Sequence, residues 1–144
     1  MTPGNENRRF HGTKINCFLG LDGNITTCDS TSCYVCRIIN ESYRLPPLTN
    51  RTFQRFGAGV YLSATSSKSN DYCKSVNNNE YKYMFLNNVL IGRGKKLKTN
   101  NKSLTSPSPG FDSVLGENGE DLNYDEVVVY SVDQVIPKYL IIYK

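Results

Sequence analysis

The stretch that decides the fold lies in the middle of the chain and reads Phe56-Gly57-Ala58-Gly59-Val60-Tyr61-Leu62-Ser63. Its apolar residues follow two glycines, and this pattern predicts a strand over residues 59–63. The next residues are rich in Ser and Thr, which are favourable N-cap residues, so we expect a short helix over residues 65–74. The segment therefore predicts a strand that leads directly into a short helix.

Outward from this segment, hydrophobic periodicity predicts further strands near Phe10 and at residues 83–91, 126–132 and 138–144. Residues 93–124 are polar and rich in Gly, Pro, Ser and Asn, so we expect long loops there. The second half of the chain is thus predicted to be rich in β-structure.

Length and composition narrow the class of protein. A chain of 144 residues fits one domain, residues 1–144, and a net charge of +4 is too mild to indicate a dedicated nucleic-acid binder.

The apolar runs are strand-sized, which predicts no membrane span, because a span needs about 20 apolar residues. Residues 1–9 lack the apolar core of a secretory signal, so we expect an intracellular protein, in the cytoplasm or nucleus.

Four of the five cysteines, Cys17, Cys28, Cys33 and Cys36, fall within twenty residues. In a reducing compartment such a cluster indicates a metal site more often than disulfide bonds. Four thiolates form a closed tetrahedral shell, which is typical of a structural zinc ion, so residues 17–36 are interpreted as a zinc-binding insertion. The alternatives are free, partly buried thiols or, in an exported protein, a disulfide. We expect Cys73 to be a buried, unreactive thiol.

Three stretches, in this order along the chain, resemble the catalytic domain of the poly(ADP-ribose) polymerase family, the diphtheria-toxin-like ADP-ribosyltransferases with a His-Tyr-Glu motif. They are Phe10-His11-Gly12-Thr13, then residues 56–63 with Ser66-Ser67-Lys68-Ser69-Asn70-Asp71-Tyr72, then Asn123-Tyr124-Asp125-Glu126-Val127-Val128-Val129-Tyr130. The resemblance runs from about residue 10 to the end. It implies a compact α+β fold of two packed, mainly antiparallel sheets with few short helices and, here, a zinc-stabilised loop.

The resemblance also assigns a role to each matching residue. It implies that His11, Tyr61 and Glu126 are the catalytic set and that NAD is the substrate. His11 would bind the adenosine-side ribose, and Glu126 would bind the nicotinamide ribose and stabilise the oxocarbenium ion that forms when the glycosidic bond breaks. The residues implied to bind NAD are His11, Gly12, Thr13, Tyr61, Lys68, Ser69 and Tyr72. A solvated side chain is the alternative interpretation of Lys68.

The sequence departs from the family in two ways. Only ten residues precede His11, and the cysteine cluster lies between His11 and Phe56, where it is similar to that of fungal members. We therefore expect a minimal version of the domain without an autoinhibitory helical region, in which zinc replaces missing scaffold.

These observations predict an NAD-dependent ADP-ribosyltransferase, a glycosyltransferase of the pentosyltransferase class, that acts as a monomer and transfers a single ADP-ribose. The acceptor is a protein or a nucleic acid. A basic run from Arg93 to Lys102 could meet a phosphate-bearing acceptor, but a solvated loop is the favoured explanation. The alternatives are an NAD glycohydrolase and a non-catalytic, zinc-stabilised module that binds NAD, ADP-ribose or nucleic acid.

Overall fold

The structure is a computed structural model that describes residues 5–46, 55–76, 78–116 and 125–144. Its elements, in chain order, are β1 Glu6–Gly12, β2 Lys14–Ile15, α1 Tyr34–Glu41, β3 Val60–Ser63, α2 Ser66–Asn70, β4 Lys74–Ser75, β5 Lys82–Leu90, β6 Gly94–Leu97, β7 Ser113–Gly116, β8 Glu126–Val129, a 3₁₀ turn Val132–Gln134 and β9 Val135–Tyr143.

Within the described residues, seven strands form one mainly antiparallel sheet in the order β6-β7-β8-β3-β1-β5-β9. The parallel pair in it is β6 with β7. Strand β1 runs beside β5 along its whole length, and its Phe10 is opposite Ser63 of β3. Ser63 in turn is opposite Glu126 of β8. The register therefore places Phe10, Ser63 and Glu126 side by side on three neighbouring strands, so His11, at the next position of β1, lies close to the end of β3 and the start of β8.

The core explains why β8 lies inside the sheet. Val127, Val128 and Val129 are at most 1% exposed, because each face of β8 is covered by a separate cluster of apolar side chains. One cluster contains Phe56 and Tyr130, and the other extends along β5 and β9 to α1. A strand that is buried on both faces has an unbroken run of apolar, often β-branched residues, and the three valines of β8 form such a run.

A second, two-stranded sheet pairs β2 with β4 in parallel, with Lys14 opposite Lys74 and Ile15 opposite Ser75. Helix α1 packs against β2 and buries Val35, Cys36 and Ile38. The Cys33 residue that precedes α1 is also buried. The cysteine-rich segment is thus packed beside the end of β1 rather than projecting from the domain.

Gly12, at the end of β1, is required by a close approach of two backbones. A Cβ atom at this position would overlap the carbonyl group of Ser69 in α2 and the sulfur of Cys73. The absence of a side chain lets α2 lie directly against β1. This contact places Ser69 beside the backbone of Gly12.

The predicted α+β class and the positions of the predicted strands are confirmed. The strand predicted over residues 126–132 ends at Val129, and the second sheet is a parallel pair of two-residue strands rather than an antiparallel sheet. The predicted helix over residues 65–74 is wrong in length, because it ends at Asn70 and Lys74 pairs with β2 instead. The prediction of loops throughout residues 93–124 is also wrong, since β6 and β7 lie there. Strand β6 is a sheet edge, where lysines are common and an apolar pattern is not required.

Part of one predicted motif, residues 123 and 124, lies outside the described residues. In the described parts of the chain, no helix is both long and apolar enough to cross a membrane.

Candidate active site and cysteine cluster

A cleft of about 390 Å³ opens where β1, β3 and β8 lie side by side. The eight residues that the sequence assigns to catalysis or NAD binding all line it: His11, Gly12, Thr13, Tyr61, Lys68, Ser69, Tyr72 and Glu126. They come from four separate parts of the chain and are brought together by the strand register described above. The structure therefore joins these residues in one site.

Glu126 lines the cleft, and its side chain is 7% exposed. Its Oε2 atom is buried and has no hydrogen-bond partner among the described residues. The Lys68 Nζ atom lies 3.8 Å from it, and an Arg55 guanidinium nitrogen lies 4.0 Å from it. These two cations offset the buried negative charge while leaving the oxygen able to accept a hydrogen bond from a bound molecule.

The neighbouring residue, Asp125, holds the β3–α2 turn against the start of β8. Its buried carboxylate accepts hydrogen bonds from the hydroxyl of Ser63 at 2.7 Å, the backbone N–H of Ala64 at 2.9 Å and the hydroxyl of Thr65 at 2.9 Å. Thr65 lies at the N-cap position of α2, but its hydroxyl makes no capping bond. This carboxylate clamp was not predicted from the sequence, because one Asp between a loop and a strand has no distinctive pattern.

His11 is held in one orientation by its surroundings. Its Nδ1 atom lies 2.8 Å from the carbonyl oxygen of Tyr61, which can only accept, so Nδ1 carries a proton. Burial lowers the pKa of His11, and the bond to Tyr61 only partly opposes this effect. The ring is therefore neutral at pH 7, and its Nε2 atom is a hydrogen-bond acceptor.

The ring of His11 packs edge-on against Tyr43, with the ring centroids 5.1 Å apart. The Tyr43 hydroxyl donates to the side-chain oxygen of Asn87 at 2.7 Å, and the Asn87 amide donates to the carbonyl of Arg9 at 3.0 Å. Tyr43 is thus a positioning residue for His11. This role could not be predicted from the sequence, because Tyr43 lies outside every predicted element and motif.

Two tyrosines line the cleft in different environments. Tyr61 is anchored, because its hydroxyl donates to the Gly57 carbonyl at 2.7 Å and accepts from the Phe56 N–H at 2.9 Å. Burial raises the pKa of Tyr61 to about 12. Tyr72 is 48% exposed. Its pKa is raised, mainly by partial burial and to a smaller extent by the negative charge of Glu126. Tyr72 lies just beyond α2 rather than on it, yet it lines the same cleft as Ser69.

The sulfur atoms of Cys17, Cys28, Cys33 and Cys36 all lie within 4.8 Å of one another. Cys17 Sγ is 3.5 Å from Cys36 Sγ and 3.9 Å from Cys33 Sγ. Four thiolates bound to one zinc ion at about 2.3 Å would lie about 3.8 Å apart, so the arrangement fits a tetrahedral metal site and is too open for disulfides. All five cysteines are free thiols, and Cys73 is buried as predicted.

Backbone groups around the sulfur atoms are also suited to a metal. The N–H of Asn16 donates to Cys33 Sγ at 3.2 Å, and the N–H of Cys28 donates to Cys36 Sγ at 3.4 Å. Burial raises the pKa of Cys17 and Cys36. Burial also opposes ionisation of Cys33, but the N–H donors around it give a net lowering of its pKa. Such outer donors orient metal-bound thiolates in known sites.

The family model described as the Poly(ADP-ribose) polymerase catalytic domain matches residues 27–121. The chain belongs to this family. The matched segment contains Tyr61, Lys68, Ser69 and Tyr72, whereas His11 lies 16 residues before its start and Glu126 lies 5 residues after its end. The family prediction from the sequence is confirmed.

Several members of the family are similar to this chain. Human protein mono-ADP-ribosyltransferase PARP3 is 34% identical over 106 residues, which are 71% of this chain and 19% of that protein. Mouse protein mono-ADP-ribosyltransferase PARP4 is 28% identical over 149 residues, 96% of this chain and 7% of that protein. Arabidopsis thaliana poly [ADP-ribose] polymerase 1 is 29% identical over 114 residues, 78% of this chain and 10% of that protein. The chain thus spans at most about a fifth of these relatives.

The lowered pKa of His11 leads to a measurable prediction. Because His11 is the single histidine of the chain, its ring signals in an NMR titration need no assignment. We expect a midpoint below the ordinary 6.5 in the folded protein and close to 6.5 in denaturant. Since the folded-state pKa is depressed, the stability that depends on neutral His11 is complete above pH 6.5 and is lost as the pH falls through the folded-state pKa. A folded midpoint at or above 6.5 would contradict a neutral, buried ring.

Proposed function

We propose that this domain is an NAD-dependent ADP-ribosyltransferase. The observation that supports this proposal most strongly is the buried carboxylate of Glu126. Its Oε2 atom has no hydrogen-bond partner in the described parts of the chain, and the residue lines a cleft shared with His11 and Tyr61. In the reaction, the bond between nicotinamide and C1′ of the ribose breaks, and nicotinamide leaves with the bonding electron pair. An acceptor nucleophile then bonds to C1′ and loses its proton.

The cleft offers a distinct surface to each part of the nicotinamide end. The backbone of Gly12 and the hydroxyl of Ser69, held side by side by the contact between β1 and α2, would hold the carboxamide group. Tyr61 and Tyr72 would cover the two faces of the ring. Because the Tyr61 hydroxyl is already bonded twice, Tyr61 would contribute its ring rather than its hydroxyl.

Glu126 would stabilise the positive charge that develops on the ribose. Its free oxygen would accept a hydrogen bond from the ribose 2′-hydroxyl, and its negative charge would lie beside the oxocarbenium ion. Lys68 would keep this carboxylate in place from the opposite wall of the cleft. The neutral Nε2 atom of His11 would accept a hydrogen bond from the adenosine-side ribose.

We further propose transfer of a single ADP-ribose to a protein or nucleic-acid acceptor. Human PARP3 and mouse PARP4, which are named mono-ADP-ribosyltransferases, are among the similar proteins and support this choice. An NAD glycohydrolase would release free ADP-ribose instead, so an assay with labelled NAD that measures both products separates the two activities.

The cysteine cluster is proposed to hold one structural zinc ion through Cys17, Cys28, Cys33 and Cys36. The fit of the sulfur spacing and the N–H donors supports this assignment. Four protein ligands would leave no open coordination position, so zinc would stabilise the fold and take no part in the reaction.

Replacing Glu126 tests the catalytic assignment. Glu126→Gln keeps the shape of the side chain and removes its negative charge, so we expect kcat to fall by about a hundredfold or more while NAD binding is retained. Glu6→Gln, at an exposed acid at the start of β1, is the matched control and should leave turnover unchanged. Equal turnover in Glu126→Gln and the wild-type protein would exclude this assignment.

Replacing Tyr72 tests the nicotinamide pocket. Tyr72 is half-exposed, so Tyr72→Ala should fold normally but lose one stacking face, which weakens benzamide binding by about 1 kcal/mol or more. Calorimetry with benzamide measures this loss. Tyr139→Ala, at a similarly exposed tyrosine on β9, is the control. Unchanged benzamide affinity in Tyr72→Ala would place the ring-binding pocket elsewhere.

The zinc assignment leads to a prediction about metal content. Protein purified under reducing conditions should contain about one equivalent of zinc, and a strong chelator should lower its melting temperature. Cys36→Ser should lose metal and stability, whereas Cys73→Ser, outside the cluster, should keep the metal. If elemental analysis finds no zinc, the zinc assignment is wrong and the four cysteines are ordinary free thiols.

A further inference from the structure

Three residues that line the cleft, called its outer end here, are not used by the catalytic assignment. Lys14 lines the cleft from β2, Lys74 lines it from β4, and Tyr34 lines it from the start of α1. None of these lysine or tyrosine positions was selected from the sequence. The outer end therefore needs its own explanation.

The charges that line the cleft are unequal. Three lysines, Lys14, Lys68 and Lys74, face a single acid, Glu126. Lys68 lies 3.8 Å from Glu126, so these two charges offset one another. Among the lining residues that the structure describes, no further acid offsets Lys14 and Lys74. The outer end of the cleft is therefore positive, and a bound anion would be attracted to it.

Lys14 and Lys74 are also direct neighbours. They are opposite one another in the parallel pair of β2 and β4, so both side chains leave the small sheet on the same face. Ile15 follows on the other face and is fully buried, which directs the lysines away from the core. Like charges at directly opposite positions destabilise a strand pair. An anion bound between the two lysines would remove this repulsion.

Tyr34 forms the wall beside this pair. It is the first residue of α1 and is 47% exposed, although the two residues on either side of it in the chain, Cys33 and Val35, are fully buried. The Arg37 guanidinium lies 5.9 Å from its ring centroid. Cys33 and Cys36 hold this turn of α1 against β2. The cysteine cluster thus determines where the ring of Tyr34 lies.

We propose that Lys14 and Lys74 bind the diphosphate group of NAD, with Tyr34 as the wall of the cleft on the adenosine side. This inference rests on the proposed function, because it takes NAD as the molecule in the cleft. The two lysines donate charge-assisted hydrogen bonds to the phosphate oxygens. They are positioning residues: they hold the substrate and do not contact the glycosidic bond.

The test compares two probes that occupy different ends of the cleft. ADP carries the diphosphate, and benzamide occupies only the nicotinamide pocket. In the double variant Lys14→Met and Lys74→Met, ADP affinity measured by calorimetry should fall at least about tenfold, while benzamide affinity stays unchanged. KM for NAD should rise with kcat retained. The charge-matched control, Lys98→Met with Lys102→Met on an exposed segment outside the cleft, should change neither affinity.

A measurement on the wild-type protein keeps the test independent of how the variant folds. The affinity for ADP should fall steeply as salt is raised, whereas benzamide affinity should not. The lysine assignment is wrong if ADP binds equally well to the double variant and the wild type, or if ADP binding does not depend on salt. In either case, NAD turnover by the wild-type protein would still support the proposed function. A wild-type protein that binds neither probe and does not turn over NAD overturns both.

Discussion

The buried carboxylate of Asp125 is the contact on which the arrangement of the site depends. It accepts three hydrogen bonds from consecutive residues of the β3–α2 turn, Ser63, Ala64 and Thr65. A buried charge is tolerated when it is satisfied in this way, and loss of its partners leaves a costly unpaired group. Since Asp125 precedes Glu126 directly, the same bonds fix Glu126 against the strand and helix that carry Tyr61 and Ser69.

The other contacts of the site build on this junction. The antiparallel register of β1 with β3 brings His11 to the Tyr61 carbonyl, and the absence of a side chain at Gly12 allows α2 to approach. The cysteine cluster acts at the far end, where it holds the start of α1 against β2. One end of the cleft is thus organised by a carboxylate, and the other by a group of sulfur atoms that suits a metal ion.

Much of this arrangement could be predicted from the sequence because short motifs carry it. The apolar runs on either side of Tyr61 and after Glu126 indicate strands, and the cysteine spacing indicates a cluster. Other features depend on contacts that local sequence does not encode. Strands β6 and β7 are short and exist through pairing, β7 with β8 and β6 with β7, while Tyr43 reaches His11 and Asn87 only in the folded chain. The helix over residues 65–74 was predicted too long because pairing of Lys74 with β2 outweighs local helix propensity.

The central claim is that the reactive end of NAD lies against Glu126 in this cleft. A crystal structure of the protein with a non-hydrolysable NAD analogue tests it most directly. The account predicts the nicotinamide ring between Tyr61 and Tyr72, with the 2′-hydroxyl of its ribose within hydrogen-bond distance of the Glu126 Oε2 atom. An analogue bound outside the cleft, or bound with this ribose turned away from Glu126, would contradict it.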